Sequence, residues 1–103
     1  MWKQVNNGST INTVGSENGV IIKDEEFDLS ARITIERNGE TAPFSITCGI
    51  YGLFAHTAFS GNKVDAVKKY EEMKNEIQTF LLLNESLNEA DVSDWGGNFA
   101  NKY

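Results

Sequence analysis

Hydrophobic positions along the chain change their rhythm once, at Ser60-Gly61-Asn62. Upstream, apolar and polar residues alternate, as in Phe44-Ser45-Ile46-Thr47-Cys48. Downstream, apolar residues recur every three or four positions, at Val64, Val67, Tyr70, Met73, Ile77, Phe80 and Leu81. Alternation places one side of a strand against a core, whereas the longer period marks one stripe of a helix. The pattern predicts an α+β fold. A four-stranded antiparallel β-meander, at about 20–27, 30–37, 42–50 and 53–59, is covered on one face by a helix over 62–83. A short C-terminal helix follows at about 87–100.

Turn signals set an expected register. Asn38-Gly39 suits a two-residue type I′ hairpin turn, and reflection about it pairs Ile35 with Ala42, Ile33 with Phe44, Ala31 with Ile46 and Leu29 with Cys48. A one-residue slip would set apolar residues against Arg32, Thr34 and Glu36. Pro43 falls inside this hairpin without a ladder donor, so its N–H side is expected to be free or bulged. A second turn at Tyr51-Gly52 pairs Ile50 with Leu53, Cys48 with Ala55, Ile46 with Thr57 and Phe44 with Phe59. Both turns load one face with Leu29, Ala31, Ile33, Ile35, Phe44, Ile46, Cys48, Ile50, Leu53, Ala55 and Phe59. The first strand is expected to pair with residues 31–37, but neither Asp24-Glu25 nor Asp28-Leu29-Ser30 aligns the apolar residues well as its turn.

The ends are less patterned. Residues 6–19, mostly Asn, Gly, Ser and Thr, read as a loop, and Trp2 is the packing residue of the segment before it. Asn62 caps the long helix, with Asp65 in its first turn. Ser86-Leu87-Asn88-Glu89 reads as the capping box of the second helix. Gly96-Gly97 then leaves two outcomes: a stop at Trp95, or continuation with the backbone pressed against the sheet or the first helix.

Size and charge narrow the function classes. At 103 residues and 40% hydrophobic, 1–103 reads as one domain large enough to fold without a disulfide or structural metal. The single cysteine cannot bridge internally, the longest apolar run (Phe80 to Leu83) is too short to span a bilayer, and no leader pattern is evident. The expected location is cytoplasmic. The net charge of −6 disfavours nucleic acid and anionic membrane surfaces, where Lys and Arg replace released counterions. The acids concentrate at Asp24, Glu25, Glu26 and Asp28, and at Glu85, Glu89, Asp91 and Asp94.

Candidate chemistry is sparse. His56, the only histidine, is expected opposite Thr47 on the open sheet face, alongside Arg32, Thr34, Ser45 and Phe54. A His, a Thr and an Arg on such a face can bind an anion or supply a base. Cys48 alternates in phase with the core and reads as an inert buried thiol. The acidic run 24–28 lacks the alternating ligands and central Gly of a calcium loop, and its charges read as edge-strand protection. No metal site or cofactor is expected. The leading expectation is a protein-interaction module, of the inhibitor or immunity type, that meets a basic partner through Asp24, Glu25, Glu26, Asp28, Asp91, Asp94 and Trp95. The alternative is a small-molecule or anion-binding domain using Arg32, Thr47, Phe54 and His56; a small enzyme ranks third.

Overall fold

The computed structural model describes residues 1–84 and 86–103. Five strands form one antiparallel sheet in chain order: β1 (Trp2–Gln4), β2 (Val20–Phe27), β3 (Ala31–Arg37), β4 (Phe44–Ile50) and β5 (Phe54–Ser60). Two helices follow, α1 (Lys63–Leu83) and α2 (Glu89–Lys102). The α+β meander expected from the sequence is present, with one strand more. That extra strand, β1, pairs with the end of β2 through Trp2↔Phe27 and Gln4↔Glu25. Asp24, Glu25 and Glu26 therefore lie on an interior strand and not on a sheet edge, and Asp28 lies in the turn that follows.

The core follows from strand alternation meeting helix periodicity. Ala31, Ile33 and Ile35 of β3 and Ile46, Cys48 and Ile50 of β4 are all buried against Ala66, Tyr70, Met73, Ile77 and Phe80 of α1. The helical stripe starts at Ala66; Val64 and Val67 remain exposed, because at about 100° per residue they fall outside the stripe of Ala66, Tyr70, Met73 and Ile77. Asn62 caps α1 by accepting the Asp65 N–H. Asn88, in place of the expected Ser86, caps α2 by accepting the Asp91 N–H. The second helix runs straight through Gly96-Gly97. Gly96 is what lets it approach: a Cβ there would lie 2.6 Å from the Phe54 ring.

Both expected hairpin registers are corrected. Across β3–β4, Ile33 faces Cys48, Ile35 faces Ile46 and Ala31 faces Ile50. Pro43 cannot donate to a ladder and is left in a loop closed by the Asn38 N–H to the Pro43 carbonyl at 2.7 Å. Asn38 has positive φ but Gly39 does not, so the two-residue turn is not made. Because the slip is from residue 44 to residue 48 opposite Ile33, an even number, the same side chains still face the core. Leu29, expected opposite Cys48, sits exposed in the β2–β3 turn.

Across β4–β5 the error is odd and changes the picture. Cys48 faces His56, Ile46 faces Ala58 and Ile50 faces Phe54. The turn is Ile50 to Leu53, closed by the Leu53 N–H to the Ile50 carbonyl at 2.9 Å, with Gly52 at φ 76°, the positive φ a type II turn needs at its third residue. One extra loop residue reverses β5. Phe54, His56 and Ala58 point to the helices, while Leu53, Ala55 and Phe59, expected in the core, are exposed.

Candidate functional site

The side of the sheet away from the helices is polar, yet parts of it are buried. Three rows cross it: Glu26–Arg32–Gly49–Ala55, Asp24–Thr34–Thr47–Thr57 and Ile21–Glu36–Ser45–Phe59. Ile21 joins this face because β2 carries a bulge between Ile21 and Lys23. Over one side folds the segment 9–19, a strap tied to β2 by Asn12 N–H to Ile21 O at 2.8 Å and Ile21 N–H to Thr13 O at 2.9 Å, and closed on itself by Gly15 N–H to Gly19 O at 3.0 Å.

A buried carboxylate fixes the strap. Glu36, 1% exposed, accepts the Glu17 N–H at 3.2 Å and the Gly19 N–H at 3.1 Å. Gly15 has to be glycine for this contact, since a Cβ would come within 2.4 Å of the Glu36 carboxyl carbon. The β3–β4 loop clamps the far side through the Glu40 N–H to Glu17 O at 3.2 Å. A carboxylate out of water is costly unless donors meet it; here the donors are the strap's own backbone.

The second buried carboxylate is Asp24, also 1% exposed. Arg32 grips it in a fork, Nε at 2.9 Å and Nη2 at 2.6 Å, and Thr34 donates its hydroxyl at 2.9 Å. Burial pushes the Asp24 carboxyl up, but the hydrogen bonds and the Arg32 charge outweigh it and hold the group below its ordinary value. Tyr51 Oη donates to Glu26 at 3.4 Å, and the Thr47 and Thr57 hydroxyls meet at 3.1 Å.

Between strap and turn lies a cleft of about 530 Å³. Its floor is Arg32, Thr34, Thr47, Gly49 and Ala55; one wall is Thr10, Thr13 and Ser16 of the strap, the other Tyr51 and Gly52. The hollow exists because the row beside Arg32 ends in Gly49 and Ala55, which have little or no side chain to fill it. A Cβ on Gly49 would sit 2.9 Å from the Phe54 carbonyl oxygen.

Of the residues expected to bind a ligand, Arg32 and Thr47 line this cleft. Phe54 borders it, but its ring turns to α2, edge-on to Trp95 at 5.5 Å and to Phe99 at 5.8 Å. His56 lies on the helix-covered face, its ring 6.0 Å from that of Phe99 and its Nε2 buried without a partner among the described residues. The odd register shift of β5 is the reason. Cys48 is buried beneath the helices, and burial pushes its thiol up to about 12.

The first acidic cluster is divided between the two faces. Asp24 and Glu26 point to the cleft side; Glu25 points to α1, where Tyr70 Oη donates at 2.6 Å and Lys74 Nζ at 3.1 Å. Burial raises the Glu25 carboxyl, and those bonds more than reverse it. Asp28 is exposed beside the chain's amino terminus at 3.1 Å. In the second cluster Glu89, Asp91 and Asp94 are exposed on α2, and Glu85 lies outside the described residues. Trp95 is stacked on Phe80 at 4.6 Å, part of the core margin.

Sequence reasoning missed the strap, Glu36 as its anchor, and Gly49 as the source of the hollow. Gly15 and Gly19 bracketing Glu17 were the available signal, but nothing in the sequence ties them to a glutamate on a strand seventeen residues beyond Gly19. Among the described residues no cluster of three metal-ligating side chains occurs, and no helix is long and apolar enough to cross a membrane. Compared with models of protein families, with curated proteins and with solved structures, the chain finds no significant match.

Proposed function

We propose that this protein is a binding domain, not a catalyst, that takes a small uncharged polar molecule in the cleft between the strap and the sheet. The observation that carries the reading is the hollow of about 530 Å³ beside the Asp24–Arg32 pair, floored by Gly49 and Ala55. Its size falls within the usual range for small-molecule sites.

Its lining selects the ligand class. Thr10, Thr13, Ser16, Thr34 and Thr47 offer hydroxyls, which donate or accept as needed. The only cation in the lining, Arg32, already gives its fork to Asp24, and Glu26 stands in the same row. An anion would meet a site with no positive charge to spare, so the anion-binding alternative loses ground to a neutral ligand. Nothing in the lining combines a nucleophile with a base. An acidic module for a basic partner retains the exposed Glu89, Asp91 and Asp94 of α2, because Asp24 and Glu25 are taken up by internal partners.

The test is a ¹⁵N amide-shift screen with neutral polyhydroxy and amide fragments. Shifts should cluster on Thr13–Ser16, Arg32, Thr47, Gly49 and Tyr51. Thr13→Trp, which carries an indole into the cleft mouth from an exposed strap position, should weaken such binding at least about tenfold. Fragment shifts scattered over the surface, or centred on α2, would refute the cleft as the site.

A further inference from the structure

Sheet edges expose unpaired backbone groups, and folded proteins ordinarily blunt them with charge, proline, a bulge or shortness. The two edges here differ. Strand β1 is three residues long and carries Lys3. Strand β5 is seven residues long, reads Phe-Ala-His-Thr-Ala-Phe-Ser, and contains no Asp, Glu, Lys, Arg or Pro. It pairs with β4 without a bulge along its whole length. Its exposed side chains include Phe59, 39% exposed, near one end, and Leu53, 38% exposed, stands just before the other end. In a chain of net charge −6, this is an unusually neutral and regular edge. Among the described residues the one device found on it is Lys69, whose Nζ donates to the Phe59 carbonyl at 3.0 Å, and a carbonyl oxygen can accept a second donor.

We propose that β5 pairs antiparallel with β5 of a second copy about a two-fold axis at Thr57, joining two sheets into one. The strand's own order of sizes identifies the occupant. Inverted about Thr57, Ala55 meets Phe59 on the open face, which sets the exposed Phe59 ring against a methyl on each side of the axis, while Phe54, His56, Ala58 and Ser60 turn to the helices of their own copy. Thr57 meets itself. Such self-complementarity is what a two-fold interface requires, and cross-strand pairing of this kind is the unit of sheet stabilisation. Room on the helix side comes from α2, where Ala90, Ser93, Gly97 and Ala100 line a shallow groove next to Leu53. The pairing leaves the strap untouched and seats the second copy's Phe59 beside Ala55, at the β5 margin of the cleft floor; it does not depend on the cleft binding a ligand.

Sedimentation equilibrium of the full chain should give about twice its 11.5 kDa mass. Thr57→Lys, which sets two ammonium groups on the axis, should raise the dimer dissociation constant at least about tenfold with an unchanged circular dichroism spectrum. A second variant is read whether or not that one folds. Directly opposed antiparallel residues have Cα atoms about 4.5–5.5 Å apart, within disulfide reach, so Thr57→Cys should cross-link to itself on mild oxidation. Leu29→Cys, exposed in the β2–β3 turn, should not. A single-chain mass at the highest soluble concentration would overturn the proposal. So would a dimer in which Thr57→Cys fails to cross-link, or one that Thr57→Lys leaves intact.

Discussion

The two faces of this sheet are built from the same strands, one residue out of step, and they are held by different physics. On the helix-covered face Ala31, Ile33 and Ile46 are fully buried against Met73 and Ile77, and the force is non-directional burial. On the other face Asp24 and Glu36 are just as inaccessible, but each is tolerated only because specific donors reach it. Burial asks that side chains be apolar and of the right volume. A buried carboxylate asks for particular partners at particular distances. Stability therefore resides mainly on the first face, and shape, in the form of a strap and a cleft, on the second.

The contrast can be broken from either side. The largest loss is expected for Ile46→Ala, about 2–5 kcal/mol for emptying a packed site, read from the urea midpoint; a loss below about 0.5 kcal/mol would mean the helix-covered face is not the core. Arg32→Ala is expected to cost about 2–3 kcal/mol at neutral pH, less than the roughly 3–5 kcal/mol of a fully buried pair because the guanidinium is 41% exposed. Its signature is the pH dependence. Asp24 titrates below its ordinary 3.8 in the folded protein, so its stabilisation is full above that value and is lost as pH falls through the folded one. The gap between wild type and Arg32→Ala should therefore narrow below about pH 4; a gap constant from pH 7 to pH 2.5 would exclude the ion pair as its source. The smallest effects come as a pair of opposite sign. Gly96→Ala should destabilise by about 1–3 kcal/mol, because its methyl meets the Phe54 ring. Gly97→Ala, with nothing within 4 Å of its would-be Cβ, should stabilise by up to about 1 kcal/mol. Equal thermal shifts for the two would show that α2 does not pack on β5 through Gly96.

The apolar face was legible in the sequence and the polar face largely was not. Alternation survives a register error of even length, so Ile33, Ile35, Ile46 and Cys48 reached the core although their cross-strand partners were misassigned. One additional residue in the β4–β5 turn was enough to reverse His56 and Phe59, because period two carries no memory of where a turn ends. The β2–β3 turn resisted alignment for a related reason: the bulge after Ile21 puts Ile21 and Phe27, both buried, on opposite faces. Arg32 and Thr47 were placed on the cleft side by alternation alone. The cleft itself depends on contacts between Glu36 and the amides of Glu17 and Gly19, and backbone amides have no residue identity to read.

Those two amides also give the most direct test of the central claim, that a buried carboxylate holds the strap on the polar face and so gives the cleft its wall. Hydrogen exchange on the native protein should show Glu17 and Gly19 protected on the order of a hundredfold, and Glu36→Ala should release both while Ile33 and Ile46 stay protected. Exchange of Glu17 and Gly19 at unstructured rates in the wild type would mean that the strap is not held and that the cleft lacks this wall.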